Sequence, residues 1–323
     1  MDALTGLLDG PRARGAFLLR SVMEPPWSLR VQDQAPLTLV VLVRGRAVLV
    51  ADDGTVEWLS PGEVAVVRGP EPYTVADDPA TAPQVVIDPG QRCRTVRGEP
   101  LEQAMDLGVR TWGNSPHGTT VLLTGTYQLT SEVGRRLLGA LPTRIVVPSD
   151  GRLAALVTLI GDEVGRTEPG QEVVLDRLLD LLLVLVLRRW FSRPEAAAPA
   201  WYRAYSDPVV GRALRMLHNH PARPWTVASL AAAVGVSRAG LARRFTALVG
   251  EPPMTYLANW RLTLAADLLR EPDTTVAAVA RQVGYGSPFA LSTAFKRRFG
   301  VAPRQHRARA AQPADGGAEP GPL

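Results

Sequence analysis

VAAVARQVGYGSPFALSTAFKRRFGVAPRQHR, residues 276–307, predicts two short helices joined by a glycine turn. Valine and alanine recur at helical spacing in the first helix, and Gly284-Tyr285-Gly286 ends it. Ser287 is a favourable N-cap, and Pro288 suits the first position of the second helix. A packed helix pair with a basic outer face is typical of a helix-turn-helix DNA-binding motif. The inward residues of the second helix are predicted to be Leu291, Phe295 and Phe299.

The same pattern occurs upstream at residues 227–250, VASLAAAVGVSRAGLARRFTALVG, where Ser237 precedes Ser287 by 50 residues. Taken alone, either segment fits an ordinary helical hairpin with a solvated charged face, because such motifs have false positives. Two copies in one region favour a pair of helix-turn-helix units. The inward residues of the second helix in this upstream copy are predicted to be Leu241, Phe245 and Leu248.

The positive charge is concentrated around these two motifs. Residues 203–307 hold 15 Lys and Arg against 5 Asp and Glu, a net charge of +10, whereas residues 1–202 hold 20 against 24, a net charge of −4. A basic segment within a chain of net charge +5 indicates a nucleic-acid partner.

Cysteine usage and hydropathy point to the cytoplasm. Cys93 is the only cysteine, so no intrachain disulfide can form and a reducing compartment is expected. No basic start precedes an apolar segment at the N-terminus, so no signal peptide is expected. The most apolar run, residues 178–187, is interrupted by Asp180 and is too short to span a bilayer. We therefore expect a cytoplasmic protein that has no membrane partner and associates with the nucleoid.

Short apolar runs between residues 37 and 87 alternate with Gly- and Pro-rich turns and predict a small β-barrel or sandwich. With Pro61-Gly62-Glu63 between two of these strands, the region resembles a cupin barrel of the kind that serves as a sensor in many regulators. Metal-binding cupins use histidine ligands, and residues 1–100 contain no histidine. We therefore expect no metal and no other cofactor.

Helical spacing of Leu, Ile and Val predicts a helical region from residue 101 onwards, most strongly at 173–191. That segment is apolar all round, so it is either fully buried or half of a homodimer interface. The expected organisation is α+β multidomain, in five parts: a cupin-like sensor domain at 1–100, a helical linker and dimerisation region at 101–192, a linker at 193–206, a DNA-binding domain at 207–307 and a disordered tail at 308–323.

Residues 209–307 resemble the DNA-binding domain of the AraC/XylS transcriptional regulators. The resemblance rests on the two motifs, on the helix predicted between them at 254–269, and on specific residues of the second motif. It implies that the second helix of each motif enters a major groove of double-stranded promoter DNA. The matching residues of the second motif are Val283-Gly284-Tyr285, Ser287, Phe295-Lys296, Phe299-Gly300, Pro303 and Arg307.

The resemblance also implies which side chains face the bases. Arg243 is suited to a bidentate contact with guanine, or alternatively to a phosphate contact. Phe289 and Ala239 would touch thymine methyl groups, or alternatively pack within the protein. The second motif lacks an arginine on this face, which favours recognition of backbone and shape there. The full base-reading set is Ala239, Ala242 and Arg243 in the first motif and Pro288, Phe289, Ser292 and Thr293 in the second.

Phosphate contacts are expected from helix caps and basic side chains, although each basic residue alone also fits a solvated surface charge. Cys93 lies between Arg92 and Arg94, an arrangement compatible with a lowered pKa and an oxidant sensor, but an inert thiol is the preferred interpretation. His218 and His220 are expected at the surface. The phosphate candidates are Ser237, Arg238, Arg244, Ser287, Lys296, Arg297 and Arg298.

Together these features predict a transcriptional regulator rather than an enzyme. It would bind promoter DNA, contact RNA polymerase and respond to a small molecule or stress signal through its N-terminal domain. One alternative is a metal-free cupin-like enzyme with an accessory helical domain. Another is a helical interaction module that never touches DNA.

Overall fold

The computed structural model describes residues 17–127, 131–193, 198–271 and 273–311. The chain forms two compact units. The described part of the N-terminal unit is residues 17–127 and 141–193. The described part of the C-terminal unit is residues 131–140, 198–271 and 273–311. Its first segment, 131–140, therefore lies in the sequence between the two segments of the N-terminal unit.

Two six-stranded sheets form the N-terminal unit. One has the strand order β10-β1-β11-β3-β6-β12, and the other has the order β5-β4-β7-β2-β8-β9. The strands are β1 Phe17–Met23, β2 Ser28–Val31, β3 Leu37–Arg44, β4 Ala47–Ala51, β5 Val56–Leu59, β6 Val64–Arg68, β7 Tyr73–Ala76, β8 Val85–Asp88, β9 Arg92–Thr95, β10 Thr111–Trp112, β11 Thr120–Tyr127 and β12 Arg144–Val147.

The inner faces of the two sheets share one apolar core that includes Trp27, Leu42 and Leu122. Strand β3 is buried on both faces from Leu37 to Leu42, because one face meets this core and the other is also covered. This explains why its sequence is a continuous apolar run rather than an alternating one.

Three strands, β10 to β12, occupy residues for which the sequence predicts helices. The prediction is wrong there because β11 is central in its sheet, between β1 and β3. Its run TVLLTGTY is almost entirely buried, and such a run has no alternating pattern to distinguish it from a buried helix. Gly125 in this strand faces the side chain of Leu179, where a Cβ would lie 2.9 Å from Leu179 Cδ2.

Two helices complete the N-terminal unit: α2 Gly151–Val164 and α3 Gln171–Phe191. The Asp150 side chain caps α2 by accepting from two backbone N–H groups. Helix α3 matches the strongest helical prediction. One face is buried, including Leu179 and Val186, and the Tyr127 hydroxyl donates to the Leu179 carbonyl at 2.8 Å. Val174 and Leu181 on the other side are exposed, so α3 is not buried all round within this chain.

Nine helices are described in the C-terminal unit. They are α1 Glu132–Leu138, α4 Ala200–Ala204, α5 Val210–Asn219, α6 Val227–Val234, α7 Arg238–Val249, α8 Pro253–Leu268, α9 Val276–Val283, α10 Pro288–Phe299 and α11 Pro303–Ala311. The pairs α6–α7 and α9–α10 are the two predicted helix-turn-helix motifs, and α8 is the predicted connecting helix. None of the helices in the described parts of the chain is long and apolar enough to cross a membrane.

Two predicted boundaries differ from the structure. Trp201, in the predicted linker, is 7% exposed and packs in the core of the C-terminal unit with Ala204, because α4 places both on one face. Helix α11 continues past Arg307 to Ala311, into the predicted tail. Residues 194–197 of the linker and 312–323 of the tail lie outside the described residues.

Each motif has its own core, and α8 contributes to both. Trp260 belongs to the core of the first motif, and Leu262 belongs to that of the second. Leu241, Phe245, Leu291 and Phe295 are fully buried as predicted, because they recur at helical spacing. The third inward position differs between the motifs: Leu248 is 37% exposed, against the prediction, whereas Phe299 is half-buried and packs against Phe295 in the core of the second motif.

The two motifs also touch directly. Gly284 ends α9 at a φ of +85°, and a Cβ there would lie 2.7 Å from Ala222 Cα in the loop before the first motif. The Arg261 guanidinium in α8 donates to the carbonyls of Pro221 and Arg223 at 2.7 and 2.8 Å. The loop that precedes the first motif is thus held against α8 by Arg261 and lies close to the turn of the second motif at Gly284.

Candidate nucleic-acid interface

Side-chain caps position both helices that the sequence assigns to DNA. The Ser237 hydroxyl accepts from Gly240 N–H at 3.1 Å at the start of α7, and the Ser287 hydroxyl accepts from Ala290 N–H at 3.1 Å at the start of α10. Each motif turns at a glycine in the left-handed region, Gly235 at φ +77° and Gly284 at φ +85°. A capped N-terminus presents the remaining N–H groups of its first turn to an anion such as phosphate.

The outer face of α7 carries the predicted base-reading residues of the first motif. Ala239 and Arg243 are exposed, and Ala242 is half-buried. Among the described residues, no carboxylate forms an ion pair with Arg243. Its guanidinium is therefore available for a bidentate hydrogen bond on the exposed face of the helix.

Arg244 differs from the prediction of a phosphate contact. Its Nε and Nη2 both donate to the Asp207 carboxylate, at 2.9 and 2.7 Å. Asp207 precedes α5 and also accepts from Val209 and Val210 N–H, at 3.0 and 2.9 Å. Burial works to raise the pKa of Asp207, but these N–H groups and Arg244 outweigh it and the pKa is lowered. Arg244 therefore ties α7 to the start of α5.

The outer face of α10 presents a large apolar side chain. Phe289 is 81% exposed, which contradicts the alternative that it packs inside the protein. Pro288 and Thr293 beside it are exposed, and Ser292 is half-buried with its hydroxyl donating to the Pro288 carbonyl at 2.8 Å. The hydroxyl oxygen of Ser292 remains an acceptor on a face otherwise suited to apolar contact.

Basic side chains surround both faces. Arg238 at the start of α7 is exposed, as are Lys296, Arg297 and Arg298 in the last turn of α10. Lys296–Arg298 also lie where the negative end of the helix dipole favours cations, so part of their role is to stabilise α10.

Arg307 is the last of the residues that match the AraC/XylS pattern, and its side chain is used within the protein. Its guanidinium donates to the carbonyls of Leu269, at 3.1 Å, and Thr274. Next to it, the His306 ring contacts the Ala266 carbonyl at 3.1 Å and packs against Phe295. These two residues of α11 hold the end of α8 and the loop that follows it.

His218 is half-buried and hydrogen-bonded within the C-terminal unit, whereas the sequence predicts a surface residue. Its Nδ1 and Nε2 lie 2.9 and 2.7 Å from the hydroxyls of Tyr205 and Tyr256, and its ring stacks on Trp260. Burial lowers the pKa of His218 to about 3, so it is neutral. This network could not be predicted from local patterns, because Tyr205 and Tyr256 lie 13 and 38 residues from His218 in the chain.

A cavity of about 40 Å³ lies between the two sheets of the N-terminal unit. Its lining is mainly apolar and includes the rings of Tyr73 and Trp112, with Asp33 and Gln91 among the polar residues. The Trp112 indole N–H is buried and has no hydrogen-bond partner among the described residues. Within the same residues, no group of three or more His, Cys, Asp or Glu side chains is placed to hold a metal ion.

Cys93 also lines this cavity, and its environment contradicts the oxidant-sensor interpretation. The thiol is 8% exposed, and burial, with Glu102 and Asp88 nearby, raises its pKa to about 12. Arg94 does not offset this, because it forms an ion pair with Asp88. The inert thiol is therefore the better interpretation.

A cupin-type sheet pair joined to two helix-turn-helix motifs defines a DNA-binding transcription regulator, and comparison with known proteins agrees. Residues 2–192 match the Cupin family model, and residues 230–309 match a helix-turn-helix domain model. The chain is 33% identical over 319 residues to a putative AraC-like transcription regulator of Streptomyces lividans, covering 97% of this chain and 100% of that protein. It is 34% identical over 313 residues to another from Streptomyces antibioticus, covering 95% and 98% of the two chains.

A third relative, the HTH-type transcriptional regulator AlkR of Acinetobacter baylyi, is 28% identical over 313 residues, covering 95% of this chain and 99% of that protein. The chain therefore belongs to the AraC-like transcription regulators, with a cupin N-terminal domain and a helix-turn-helix DNA-binding domain. The relatives are named as regulators and not as enzymes.

Proposed function

We propose that this regulator recognises promoter DNA through α7 and α10, with Arg243 as its main base-reading residue. The observation that carries the proposal is the exposed guanidinium of Arg243, which forms no ion pair within the described part of the chain. It lies on a helix that Ser237 caps, in a segment of net charge +10. Arg243 contacts guanine O6 and N7 in the major groove. Ala239 and Ala242 allow α7 to approach the base edges closely.

The second motif contributes apolar contact and shape recognition. Phe289 contacts thymine methyl groups, and Pro288, Ser292 and Thr293 line the groove beside it. Phosphate contacts come from the capped helix starts at Ser237 and Ser287 and from four basic side chains, Arg238, Lys296, Arg297 and Arg298. Arg244 is not part of this set, because Asp207 holds it.

The N-terminal unit acts as the sensor in this proposal. A small molecule or a stress signal changes the population of its states, and these states differ in DNA affinity. We propose no enzymatic activity and no cofactor.

The active form is a homodimer that forms through the outer side of α3. Val174, Leu178, Leu181 and Leu185 follow a spacing of 4, 3 and 4 residues, which places them in one stripe along the helix. Two of the four are exposed, and the others are half-buried. On DNA, the dimer contacts RNA polymerase and regulates transcription. Its target places it in the cytoplasm, associated with the nucleoid.

Selection of bound duplexes from a random DNA library tests this function. The full-length protein should enrich duplexes that contain two separated recognition sequences. Selection with Arg243→Ala should no longer enrich one particular guanine in the sequence read by the first helix-turn-helix motif. If the wild-type protein enriches no sequence and its binding shows no salt dependence, the DNA-reading assignment is wrong.

A further inference from the structure

Helix α1 belongs to the C-terminal unit although the chain on both sides of it belongs to the N-terminal unit. It follows β11 and precedes β12, two strands of the same sheet. The segment between these strands therefore leaves the sheet domain, docks in the DNA-binding domain and returns. The chain therefore connects the two units covalently at both ends of this segment, in addition to the connection after residue 193.

The docking site of α1 is the last turn of α8. The Asp267 carboxylate accepts from Glu132 N–H at 2.6 Å and from Val133 N–H at 3.2 Å. The Ser131 hydroxyl accepts from Gly134 N–H at 2.9 Å. The first N–H groups of α1 are thus satisfied partly by its own N-cap and partly by a residue more than 130 positions later in the chain.

Apolar and aromatic contacts reinforce this cap. Val133 is 2% exposed and lies in the same core cluster as Tyr256 and Trp260 of α8. The Arg136 guanidinium carbon lies 5.2 Å from the centroid of the Tyr256 ring, within the range of a cation–π contact. Helix α1 therefore packs along α8 as well as against its end.

Asp267 lies at a position that is unfavourable for a negative charge. A carboxylate in the last turn of a helix faces the negative end of the helix dipole. Burial raises the pKa of Asp267, which shows that its charge is disfavoured, while the two N–H groups of α1 oppose that rise. The start of α1 supplies the positive dipole end that compensates for both effects.

Helix α8 is the element that joins the two motifs and contributes to both of their cores. We propose that α1 is a clasp that couples the sensor sheet to α8, so that a change in the strands beside α1 alters the DNA affinity of the paired motifs. This inference rests on the proposed sensor role of the N-terminal unit. Through this clasp, DNA binding also changes the mobility of the segment that returns to β12, because coupling between two sites is reciprocal.

Hydrogen exchange of the full-length protein, with and without DNA, tests the clasp. The DNA is a duplex enriched by the wild-type protein from a random library. Asp267→Ala removes the acceptor from α8. Glu132→Pro removes one donor from α1, and proline is tolerated at the first helical position. Asp273→Ala is the matched control, because it removes the same charge from an exposed residue nearby.

In the wild type and in Asp273→Ala, the amides of residues 132–138 should be protected, and DNA should slow exchange in residues 139–147 at least twofold. In Asp267→Ala and Glu132→Pro, residues 132–138 should exchange at least tenfold faster, and DNA should leave residues 139–147 unchanged. If α1 stays protected in both variants, the docking contact is wrong.

If DNA has the same effect on residues 139–147 in every protein, or no effect on them in the wild type, the coupling is wrong. Failure of the wild type to bind any duplex would instead contradict the DNA-reading function, while protection of α1 without DNA would still report on its docking. Should Asp267→Ala fail to fold, Glu132→Pro gives the same comparison without changing α8.

Discussion

The Asp207 carboxylate binds the Arg244 guanidinium and also caps the start of α5. One acidic side chain therefore fixes α5 and α7 relative to each other, and it occupies an arginine that the sequence assigns to DNA. The two adjacent arginines therefore have different roles. Arg244 connects α7 to α5 through Asp207, and Arg243 is exposed on the outer face of α7.

Asp207→Ala should destabilise the C-terminal unit by about 1–2 kcal/mol, because it removes a helix cap and releases Arg244. Urea unfolding followed by circular dichroism measures this loss. Asp273→Ala, which changes an exposed carboxylate, should alter stability by less than about 0.5 kcal/mol. Equal effects of the two substitutions would contradict the structural role of Asp207.

The same carboxylate predicts an acid-dependent loss of stability. Because the pKa of Asp207 is lowered in the folded protein, its contribution is fully present above the unfolded-state value of about 3.9 and is lost as the pH falls through the folded value. The stability difference between the wild type and Asp207→Asn should therefore be constant from about pH 5 to 7 and shrink below about pH 4. If the stability difference instead grows on acidification, the pKa of Asp207 is raised rather than lowered in the folded protein.

Arg243→Ala should weaken binding to the selected duplex by about 1–3 kcal/mol and relax the preference at one base pair. Arg238→Ala is the comparison, because loss of a phosphate contact should weaken binding to all duplexes equally and lower the salt slope by about 1. Fluorescence anisotropy on a series of single-base variants distinguishes the two. Uniform weakening by Arg243→Ala would assign it to phosphate.

Phe289→Ala should leave the free energy of unfolding within about 0.5 kcal/mol of the wild type, because the ring is exposed. Its effect should appear in DNA binding, as a weaker preference for thymine at one position. Phe295→Ala, at a fully buried ring in the same helix, should cost about 3–5 kcal/mol of stability. Thermal unfolding and anisotropy together separate the two phenylalanines, and a large stability loss from Phe289→Ala would contradict its exposure.

Gly284→Ala should destabilise the second motif by at least about 1–3 kcal/mol, since φ is +85° and the new Cβ would meet the Ala222 backbone. Gly286→Ala, two residues later, meets nothing within 4 Å and should be tolerated. Urea unfolding of both variants checks the difference. Similar stabilities would mean that the two motifs do not approach each other closely at this turn.

Leu181→Arg should convert the proposed dimer to a monomer, because it places a charge in the centre of the apolar stripe on α3. Val56→Arg, at a similarly exposed apolar residue on strand β5, is the control and should leave the dimer intact. Light scattering after size-exclusion chromatography measures both. A monomeric wild type, or a dimeric Leu181→Arg, would contradict the α3 interface.

The parts of the fold predicted correctly from the sequence are those set by local chemistry. Ser237 and Ser287 cap their helices, and Gly235 and Gly284 adopt the left-handed turn, because each depends on only a few neighbouring residues. The parts that could not be predicted depend on distant partners. Strands β10, β11 and β12 form because their neighbours in the sheet are far away in the chain, and a buried apolar run is compatible with either structure.

The candidate site divides in the same way. The exposed faces of α7 and α10 follow from helical spacing, so the outward positions of Arg243 and Phe289 could be predicted. The pairing of Arg244 with Asp207 spans 37 residues and had no signature in the sequence. For Cys93, the adjacent arginines suggested a low pKa, but strand geometry and burial, which the sequence does not reveal, determine the opposite shift.

The contact of Gly284 with Ala222, together with the Arg261 hydrogen bonds, has a consequence for the operators that this protein can use. Two motifs held together cannot follow a change in the distance between their target sequences. Inserting one base pair between the two targets turns one away from the other by about 34–36° around the duplex, given about 10–10.5 base pairs per turn. Promoters under this regulator can therefore vary in base sequence more readily than in the length of the segment between the two contacted grooves.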